Sequence, residues 1–261
     1  MSKLPPLKHY LPIPDNGYNN KYNHIPQWPF RLLICGSSGS GKTNLLLNLI
    51  LQYLSYDRLL VYAKDLSEPK YEYLQELFNK NNDEDDDDDE DEEEVLFSSD
   101  DKVISVDELD PNKQNLIVFD DYITSRDQNK IEDLFIRGRK KNVSIIYLTQ
   151  SYYQTPKNIR LQCNYLILFR SCNQREVNTI LRDHTLDSKT VRENYSQAVR
   201  QPYNFFMFDF KNSKLKYRHN FNPIEKKRNE NQKNENEKRK NEKRKKNENY
   251  SYQWNLDYIK R

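Results

Sequence analysis

The residues best suited to chemistry form a glycine-rich segment that ends in a lysine and a threonine. Residues 36–43 read GSSGSGKT and match G-x-x-x-x-G-K-[ST], the Walker A pattern. Glycines let a backbone wrap a phosphate chain with its N–H groups pointing inward, at the positive end of the following helix. We therefore predict an ATP-binding loop. Its nucleotide-binding residues would be Gly36, Ser37, Ser38, Gly39, Ser40, Gly41, Lys42, Thr43 and Asn44.

The segments on either side of this loop decide between a phosphate site and a Gly/Ser linker that contains GKT by chance. An apolar run of strand length, RLLIC, precedes the loop, and a leucine-rich segment of helical pattern follows it. A linker predicts no particular flanks, whereas a phosphate loop needs a strand before it and a helix after it. In that context Lys42 would reach the β- and γ-phosphates, and the Thr43 hydroxyl would bind Mg²⁺.

A second acidic motif follows an apolar run at residues 115–121, NLIVFDD. The pattern is typical of a Walker B strand, in which four apolar residues place an acid at the carboxyl end of the strand, beside the phosphates. Asp120 would hold Mg²⁺, directly or through water, and Asp121 would polarise the attacking water. Strand-to-turn junctions also attract Asp for local reasons, so the motif gains its meaning from the loop upstream.

Three further polar residues are candidates for roles in catalysis. Gln150 follows the apolar run VSIIYLT and would stand between the two acids, where it could sense the γ-phosphate or orient water. Arg139 and Arg160 flank that run, and either could act as an arginine finger on the ATP of a neighbouring subunit. Ordinary turn polarity is the alternative for Gln150, and ordinary surface charge is the commoner explanation for either arginine.

The elements that must position these side chains alternate between apolar strand patterns and helical patterns, which predicts an α/β fold with a parallel sheet covered on both faces. Strands are predicted at residues 31–35, 58–63, 103–106, 116–120, 143–149 and 165–169, with a terminal pair at 203–210 and 214–217. Helices are predicted at residues 42–54, 68–80, 130–139, 157–162, 174–183 and 188–199.

The charge of the chain is concentrated in segments outside that pattern. Residues 83–94 are twelve consecutive acids, and without them the formal net charge rises from +2 to +14. A basic protein of this kind suits a polyanionic partner such as nucleic acid, although a solvated surface is the simpler reading. We expect an irregular lead-in at 1–29, an ATPase domain at 30–220 with a disordered acidic insertion at 83–94, and a disordered basic tail at 221–261.

The cysteines and the hydropathy indicate the compartment. Cys35, Cys163 and Cys172 lie in or beside apolar runs without metal-ligand spacing, which favours buried thiols in a reducing environment. No window approaches 18 consecutive apolar residues, and no leader pattern precedes the first strand. We expect a soluble intracellular protein of the nucleus, the cytoplasm or a virion, with no membrane partner.

Taken together, these blocks resemble the A32-like DNA-packaging ATPases of the FtsK/HerA superfamily, found in large DNA viruses, virophages and Polinton (Maverick) elements. The resemblance covers residues 30–183 and is carried by RLLICGSSGSGKTNLLLNLI, NLIVFDD and GRKKNVSIIYLTQSYYQTPKNIRLQCNYLILFR. The third block is the specific one, because it joins a Gly-Arg pair, a strand ending in Thr-Gln and a Pro-Lys-x-x-Arg segment.

The resemblance implies a P-loop NTPase of the additional-strand type, with a mostly parallel central sheet and helices on both faces. It also implies a homo-oligomeric ring, a hexamer or pentamer, that threads double-stranded DNA into a capsid with ATP and contacts capsid proteins. Carried over, Lys42 and Thr43 match the Walker A pair, Asp120 and Asp121 the Walker B pair, and Gln150 the sensor. Arg139 and Arg160 fall at basic positions of the family.

Some features depart from the family pattern and leave alternatives open. Lys140 stands where relatives often have His, and neither the acidic run nor the basic tail belongs to the motif set. One alternative is a domesticated ATPase that acts as an ATP-dependent switch or scaffold. Another is a helicase or DNA-repair motor on host DNA. The intact Lys42, Thr43, Asp120 and Asp121 argue against an inactive scaffold.

Overall fold

Six short apolar segments form the parallel part of a central sheet. The computed structural model describes residues 26–84, 94–170, 174–212 and 216–224. Its parallel strands are β1 (Arg31–Cys35), β2 (Arg58–Ala63), β3 (Glu94–Ser98), β4 (Asn115–Asp120), β5 (Val143–Thr149) and β6 (Tyr165–Leu168). Five of them, all except β3, are buried along almost their whole length. Such continuous apolar runs are what strands covered on both faces require.

The strand order explains how the loop and the acids meet. The sheet runs β3-β2-β4-β5-β1-β6-β7-β8-β9, in which β7 (Phe206–Asp209), β8 (Tyr217–His219) and β9 (Asn222–Pro223) are antiparallel additions. Strand β5 lies between β4 and β1 and pairs with both in parallel. This is the additional strand between the two motif-bearing strands, so the predicted α/β fold is confirmed.

Six α-helices cover the two faces of the sheet. They are α1 (Lys42–Gln52), α2 (Pro69–Glu84), α3 (Gln128–Arg137), α4 (Lys157–Gln162), α5 (Gln174–Asp183) and α6 (Ser188–Ala198). Helices α1 and α2 bury leucines and a tyrosine on one face. Helices α3 to α6 bury Ile, Leu, Val and Phe side chains on the other face. The sheet is therefore packed on both faces, and this packing fixes the positions of the strand ends at its carboxyl edge.

The predicted strand at residues 103–106 is wrong. Val103 and Val106 are buried, but the segment is irregular and leads into a 3-10 helix at Val106–Glu108. β2 pairs with β4 on one side and with β3 on the other, and β3 lies at the edge of the sheet. An edge strand is covered on one side only, so its burial varies along its length and it lacks a continuous apolar run. Apolar content alone thus favoured the wrong segment.

The boundaries of the charged segments also differ from the expectation. Helix α2 extends to Glu84, and β3 begins at Glu94, whose carboxylate lies 2.7 Å from the Arg58 guanidinium. Phe221 is fully buried and β9 follows it, so the folded unit ends at Ile224 rather than at residue 220. The rest of the acidic run and of the basic tail lies outside the described residues.

The end of the predicted lead-in belongs to the folded unit. The indole N–H of Trp28 donates to Asn142 Oδ1 at 2.7 Å, and the backbone N–H of Gln27 donates to the Tyr165 hydroxyl at 3.3 Å. Residues 1–25 lie outside the described part. Cys35 and Cys163 are buried free thiols, as expected, while Cys172 is not described. Among the helices of the described ranges, none is long and apolar enough to cross a membrane.

Candidate nucleotide-binding site

The carboxyl ends of five parallel strands meet at one edge of the sheet. Cys35, the last residue of β1, is level with Thr149 on one side and Leu168 on the other. Asp120, the last residue of β4, is level with Ala63 of β2. In open α/β sheets, ligands bind in the crevice outside these carboxyl ends. The loop after β1 and the acids after β4 therefore share one crevice.

The loop between β1 and α1 has a backbone that depends on its glycines. Gly39 has φ 72° and Gly41 has φ 106°, in the left-handed region that disfavours residues with a Cβ. A Cβ at Gly36 would lie 2.7 Å from the Cβ of Phe169, so the loop can pass over the end of β6 only with glycine there. Helix α1 then begins at Lys42, with no side-chain cap from the described residues. Its first N–H groups face the crevice, where they suit an anion.

Lys42 is held against the loop that it closes. Its ammonium donates to the carbonyl oxygens of Gly36, at 2.9 Å, and Ser37, at 3.2 Å. Burial lowers the pKa of Lys42, and the nearby carboxyl group of Asp120 opposes that shift. The cation is thus partly desolvated and placed where phosphate oxygens can replace the loop carbonyls.

Asp120 accepts a hydrogen bond from Tyr71, a residue outside both the Walker A and the Walker B motifs. The buried Tyr71 of α2 donates its hydroxyl to Asp120 Oδ2 at 2.5 Å. Burial raises the pKa of Asp120, while the hydrogen bond from Tyr71 and the charge of Lys42 lower it. Burial also raises the pKa of the Tyr71 hydroxyl, so that group remains a donor. Asp121 follows with φ 58° and an exposed side chain.

The segment after β5 is tied down by a carboxylate from α5. The Ser151 hydroxyl donates to Glu176 Oε1 at 2.6 Å, and the Tyr153 backbone N–H donates to Glu176 Oε2 at 2.7 Å. The Thr149 hydroxyl accepts the Ser151 N–H at 3.2 Å and thereby tightens the turn. Gln150 lies in this turn with an exposed side chain. The Glu176 contacts fix the backbone that carries it.

These elements enclose a cavity of about 400 Å³ at the carboxyl edge of the sheet, a size typical of small-molecule sites. Among the predicted residues, the cavity is lined by Ser38, Gly39, Gly41, Lys42, Thr43, Asn44, Asp120, Asp121 and Gln150. Gly36, Ser37 and Ser40 belong to the loop but do not line the cavity. The lining residues that sequence reasoning missed are Ala63, Lys64, Asp65, Glu68, Lys70, Tyr71, Thr149 and Tyr203. Those at 63–71 lie at or just after the carboxyl end of β2. Because ligands of such sheets bind at the carboxyl ends of the strands, this position could have identified them.

The two arginines proposed as fingers occupy different environments. Arg160 is 6% exposed, and its guanidinium lies 3.2 Å from Asp183 Oδ2 and donates to the carbonyl oxygens of Tyr152 and Tyr153. Arg139 is exposed in the 3-10 helix Gly138–Lys141, at the amino end of β5. Neither lines the cavity. The burial of Arg160 argues against a role on another subunit, because reaching out would break its 3.2 Å ion pair with the buried Asp183 carboxylate.

The chemistry of the cavity fits a nucleotide with a divalent cation. The amide nitrogen of Asn44 is buried at the cavity wall and has no hydrogen-bond partner within the described part of the chain. The Asp120 carboxylate and the Thr43 hydroxyl are hard oxygen ligands of the kind that Mg²⁺ prefers. The described residues contain no cluster of three or more His, Cys, Asp or Glu able to hold a metal alone. Phosphate oxygens and water would supply the remaining Mg²⁺ ligands.

A family model described as the poxvirus A32 protein matches residues 18–199, which include the loop, both acids and the segment after β5. The chain belongs to this family. This confirms the resemblance drawn from the three sequence blocks. The match covers more than half of the 261 residues.

Among the solved structures that match this chain are two from Sulfolobus viruses. The crystal structure of B204, the DNA-packaging ATPase from Sulfolobus turreted icosahedral virus, matches 76% of this chain and all of its own, at 16% identity and a TM-score of 0.50. The genome-packaging NTPase B204 from Sulfolobus turreted icosahedral virus 2, in complex with ATP-gammaS, matches 75% of this chain and 98% of its own, at 14% identity and a TM-score of 0.46. No curated protein matches the chain.

Proposed function

We propose that this A32-family chain hydrolyses MgATP in the cavity and uses the energy to move double-stranded DNA. One observation carries the ATPase part. The P-loop, the two acids after β4 and the glutamine after β5 line the same cavity, in a sheet whose additional strand separates the two motif-bearing strands. A phosphate loop without an acid for water would suit phosphate transfer to a small acceptor instead.

Each side chain has a role that follows from its position. Lys42 exchanges the loop carbonyls for the β- and γ-phosphates, and Thr43 and Asp120 hold Mg²⁺. The bound cation neutralises charge on the phosphate oxygens. Asp121 is exposed to the cavity and polarises the attacking water, while Gln150 orients it. Tyr71 keeps the Asp120 carboxylate facing the loop.

The DNA part of the proposal is supported by family and charge. The A32 family match and the described activity of B204 as a DNA-packaging ATPase favour packaging over repair. Apart from the acidic run, the chain carries a net charge of +14, which suits a phosphate backbone. We propose a hexameric or pentameric ring around the duplex, with capsid proteins as further partners. The basic clusters of the tail, at 238–240 and 243–246, would contact DNA or direct nuclear import.

A ring also supplies an arginine to the site. The described residues that line the cavity include Lys42, Lys64 and Lys70 but no arginine. We propose that Arg139 of one subunit reaches the ATP of the next, because its side chain is exposed and forms no hydrogen bond or ion pair within the described residues. Such a finger can raise the rate by about 10³- to 10⁵-fold. Arg160, already paired with Asp183, is assigned a structural role instead.

The test is ATP turnover by the purified full chain with and without double-stranded DNA, together with its mass in solution. We expect turnover, stimulation by DNA, and an assembly of five or six chains. Lys42→Ala serves as the inactive control. Turnover that DNA does not change would remove the motor from the proposal. A monomer that hydrolyses ATP as fast per chain as the assembly would remove the ring.

Mixing two inactive variants tests the finger. Lys42→Ala and Arg139→Ala should together recover part of the activity, because a mixed ring can place an intact ATP site beside an intact finger. The same mixture with Arg160→Ala is the matched control. That variant should lose thermal stability, since the side chain of Asp183 is 5% exposed and would lose its shorter ion pair, which leaves only Arg182 at 3.9 Å. Recovery with Arg160→Ala but not with Arg139→Ala would reverse the assignment.

A further inference from the structure

One exposed aromatic side chain lines the cavity from the side opposite the acids. Tyr203 is 57% exposed and belongs to the turn that leads from α6 into β7. Because β7 is antiparallel to β6, it begins at the carboxyl edge of the sheet, where Phe206 is level with Leu168. Leu168 is in turn level with Cys35, the residue before the P-loop. The turn therefore stands beside the loop although 160 positions separate Tyr203 from Thr43.

The order of the strands sets which end of a nucleotide this turn would meet. β5 and β4, which carry Gln150 and Asp120, lie on one side of β1, and β6 and β7 lie on the other. The γ-phosphate belongs on the side of the acids, where Mg²⁺ and the attacking water must be held. A nucleotide bound across the loop then points its base toward β7. Tyr203 is the aromatic residue that lines the cavity there.

Tyr203 adopts a backbone conformation that its residue type disfavours. The Asn204 N–H donates to the Gln201 carbonyl at 3.3 Å, and Pro202 precedes a residue with φ 64°. Proline at the second position followed by a positive φ defines a type II turn, in which glycine or asparagine is favoured at the third position. Tyrosine there costs stability. Residues held in such conformations cluster at ligand sites, so a role for the side chain itself is indicated.

The turn is anchored beside the P-loop by packing contacts. The next residue, Phe205, is fully buried, and its ring packs edge-on against Phe169, with centroids 5.5 Å apart. Phe169 is the residue whose Cβ would clash with a side chain at Gly36. The Phe205 N–H also donates to Asn220 Oδ1 at 2.9 Å. The buried Phe169–Phe205 contact thus joins the residue beside the phosphate loop to the turn that carries Tyr203.

We propose that Tyr203 forms the base-binding platform of this site, on which the purine ring of the nucleotide stacks. The inference rests on the proposed ATP site and names the part of the ligand that the motifs leave unassigned. A flat aromatic ring recognises the face of a base by offset stacking, and its edge can stay in water. The platform adds affinity for the nucleoside part and leaves the phosphate contacts unchanged.

The substitution Tyr203→Gly separates the side chain from the backbone, because glycine favours the conformation that tyrosine strains. Dissociation constants for ATP and for inorganic triphosphate would be measured by calorimetry on the full chain. We expect Tyr203→Gly to weaken ATP binding by roughly 10- to 100-fold, the range for loss of one aromatic stacking partner. Triphosphate binding should stay unchanged, and the melting temperature should rise.

Two further variants complete the design. Tyr203→Phe keeps the ring and should bind ATP as the parent does. Lys42→Ala should weaken ATP and triphosphate alike. The platform is overturned if Tyr203→Gly binds ATP with the parental constant, or if it loses ATP and triphosphate affinity equally. If the parent binds ATP and triphosphate equally well, the platform is wrong but the phosphate site is unaffected. A parent that binds neither would overturn both proposals.

Discussion

The two sides of the cavity differ in how they are built. The phosphate side consists of the P-loop, the acids after β4 and Gln150 after β5, all of which extend parallel strands at the same edge. The base side consists of one turn from the antiparallel end of the sheet, with Tyr203 at its tip. The phosphate side needs many polar groups at fixed spacing, whereas the base side needs one flat ring in the right place.

That difference teaches which interactions leave a pattern in a sequence. A phosphate chain is held by directional N–H donors, a lysine and a metal ion, so glycines and charged residues must recur at set positions. Stacking is tolerant of residue type and direction, so many turns could supply it. The phosphate side should therefore control chemistry and the base side only affinity.

The largest effect is expected from Lys42→Ala, on the phosphate side. The loop would lose the one side-chain cation that contacts its own carbonyls, and no other group of that kind lies against them in the described ranges. ATP hydrolysis should fall by at least about 10²-fold, the scale for losing one electrostatic group from an active site. Phosphate release assays would measure it. Parental turnover in this variant would contradict the P-loop assignment.

Asp121→Asn should separate hydrolysis from binding. The amide keeps the shape of the side chain and loses the charge that polarises water, so turnover should fall by about 10²- to 10⁴-fold. MgATP affinity should change little, since Asp120 and Thr43 are intact. Single-turnover kinetics and calorimetry would measure the two quantities. If Asp121→Asn hydrolyses ATP normally, another group activates the water.

Tyr71→Phe should give an intermediate effect, confined to the metal. Removing the hydroxyl breaks its 2.5 Å hydrogen bond to Asp120 while the buried ring stays in place. Loss of such a partner of a metal ligand weakens metal affinity by about 10-fold or more. Turnover as a function of Mg²⁺ concentration would show it, and saturating Mg²⁺ should restore the rate. Tyr73→Phe, an exposed position on the same helix, is the matched control.

The smallest effect is expected outside both sides, in the acidic run. Replacing residues 85–93 with their amides removes nine charges but no apolar group. Glu94 is kept because it lies against Arg58 at 2.7 Å. Because no apolar side chain is lost, basal turnover should be preserved. A large fall in melting temperature would assign a structural role to the run.

Local pattern predicted the core of the fold and most of the phosphate side. Strands β1, β4 and β5 are buried on both faces, so their sequences are continuous apolar runs, and the functional residues come directly after them. At the edge of the sheet, where a strand is only partly buried, the apolar pattern did not predict the strand. Edge strand β3 was missed, and the buried irregular segment at 103–106 was taken for a strand because burial is not specific to strands.

The sequence by itself indicated the P-loop, the acids, Gln150 and most of the elements, because each of these depends on residues close together in the chain. Tertiary structure alone decided that Tyr71 holds Asp120, that Arg160 pairs with Asp183, and that Tyr203 stands beside the loop. These three facts depend on which strands become neighbours and in which direction they run. Strand pairing joins residues from distant parts of the chain, and that information is not present in any one segment.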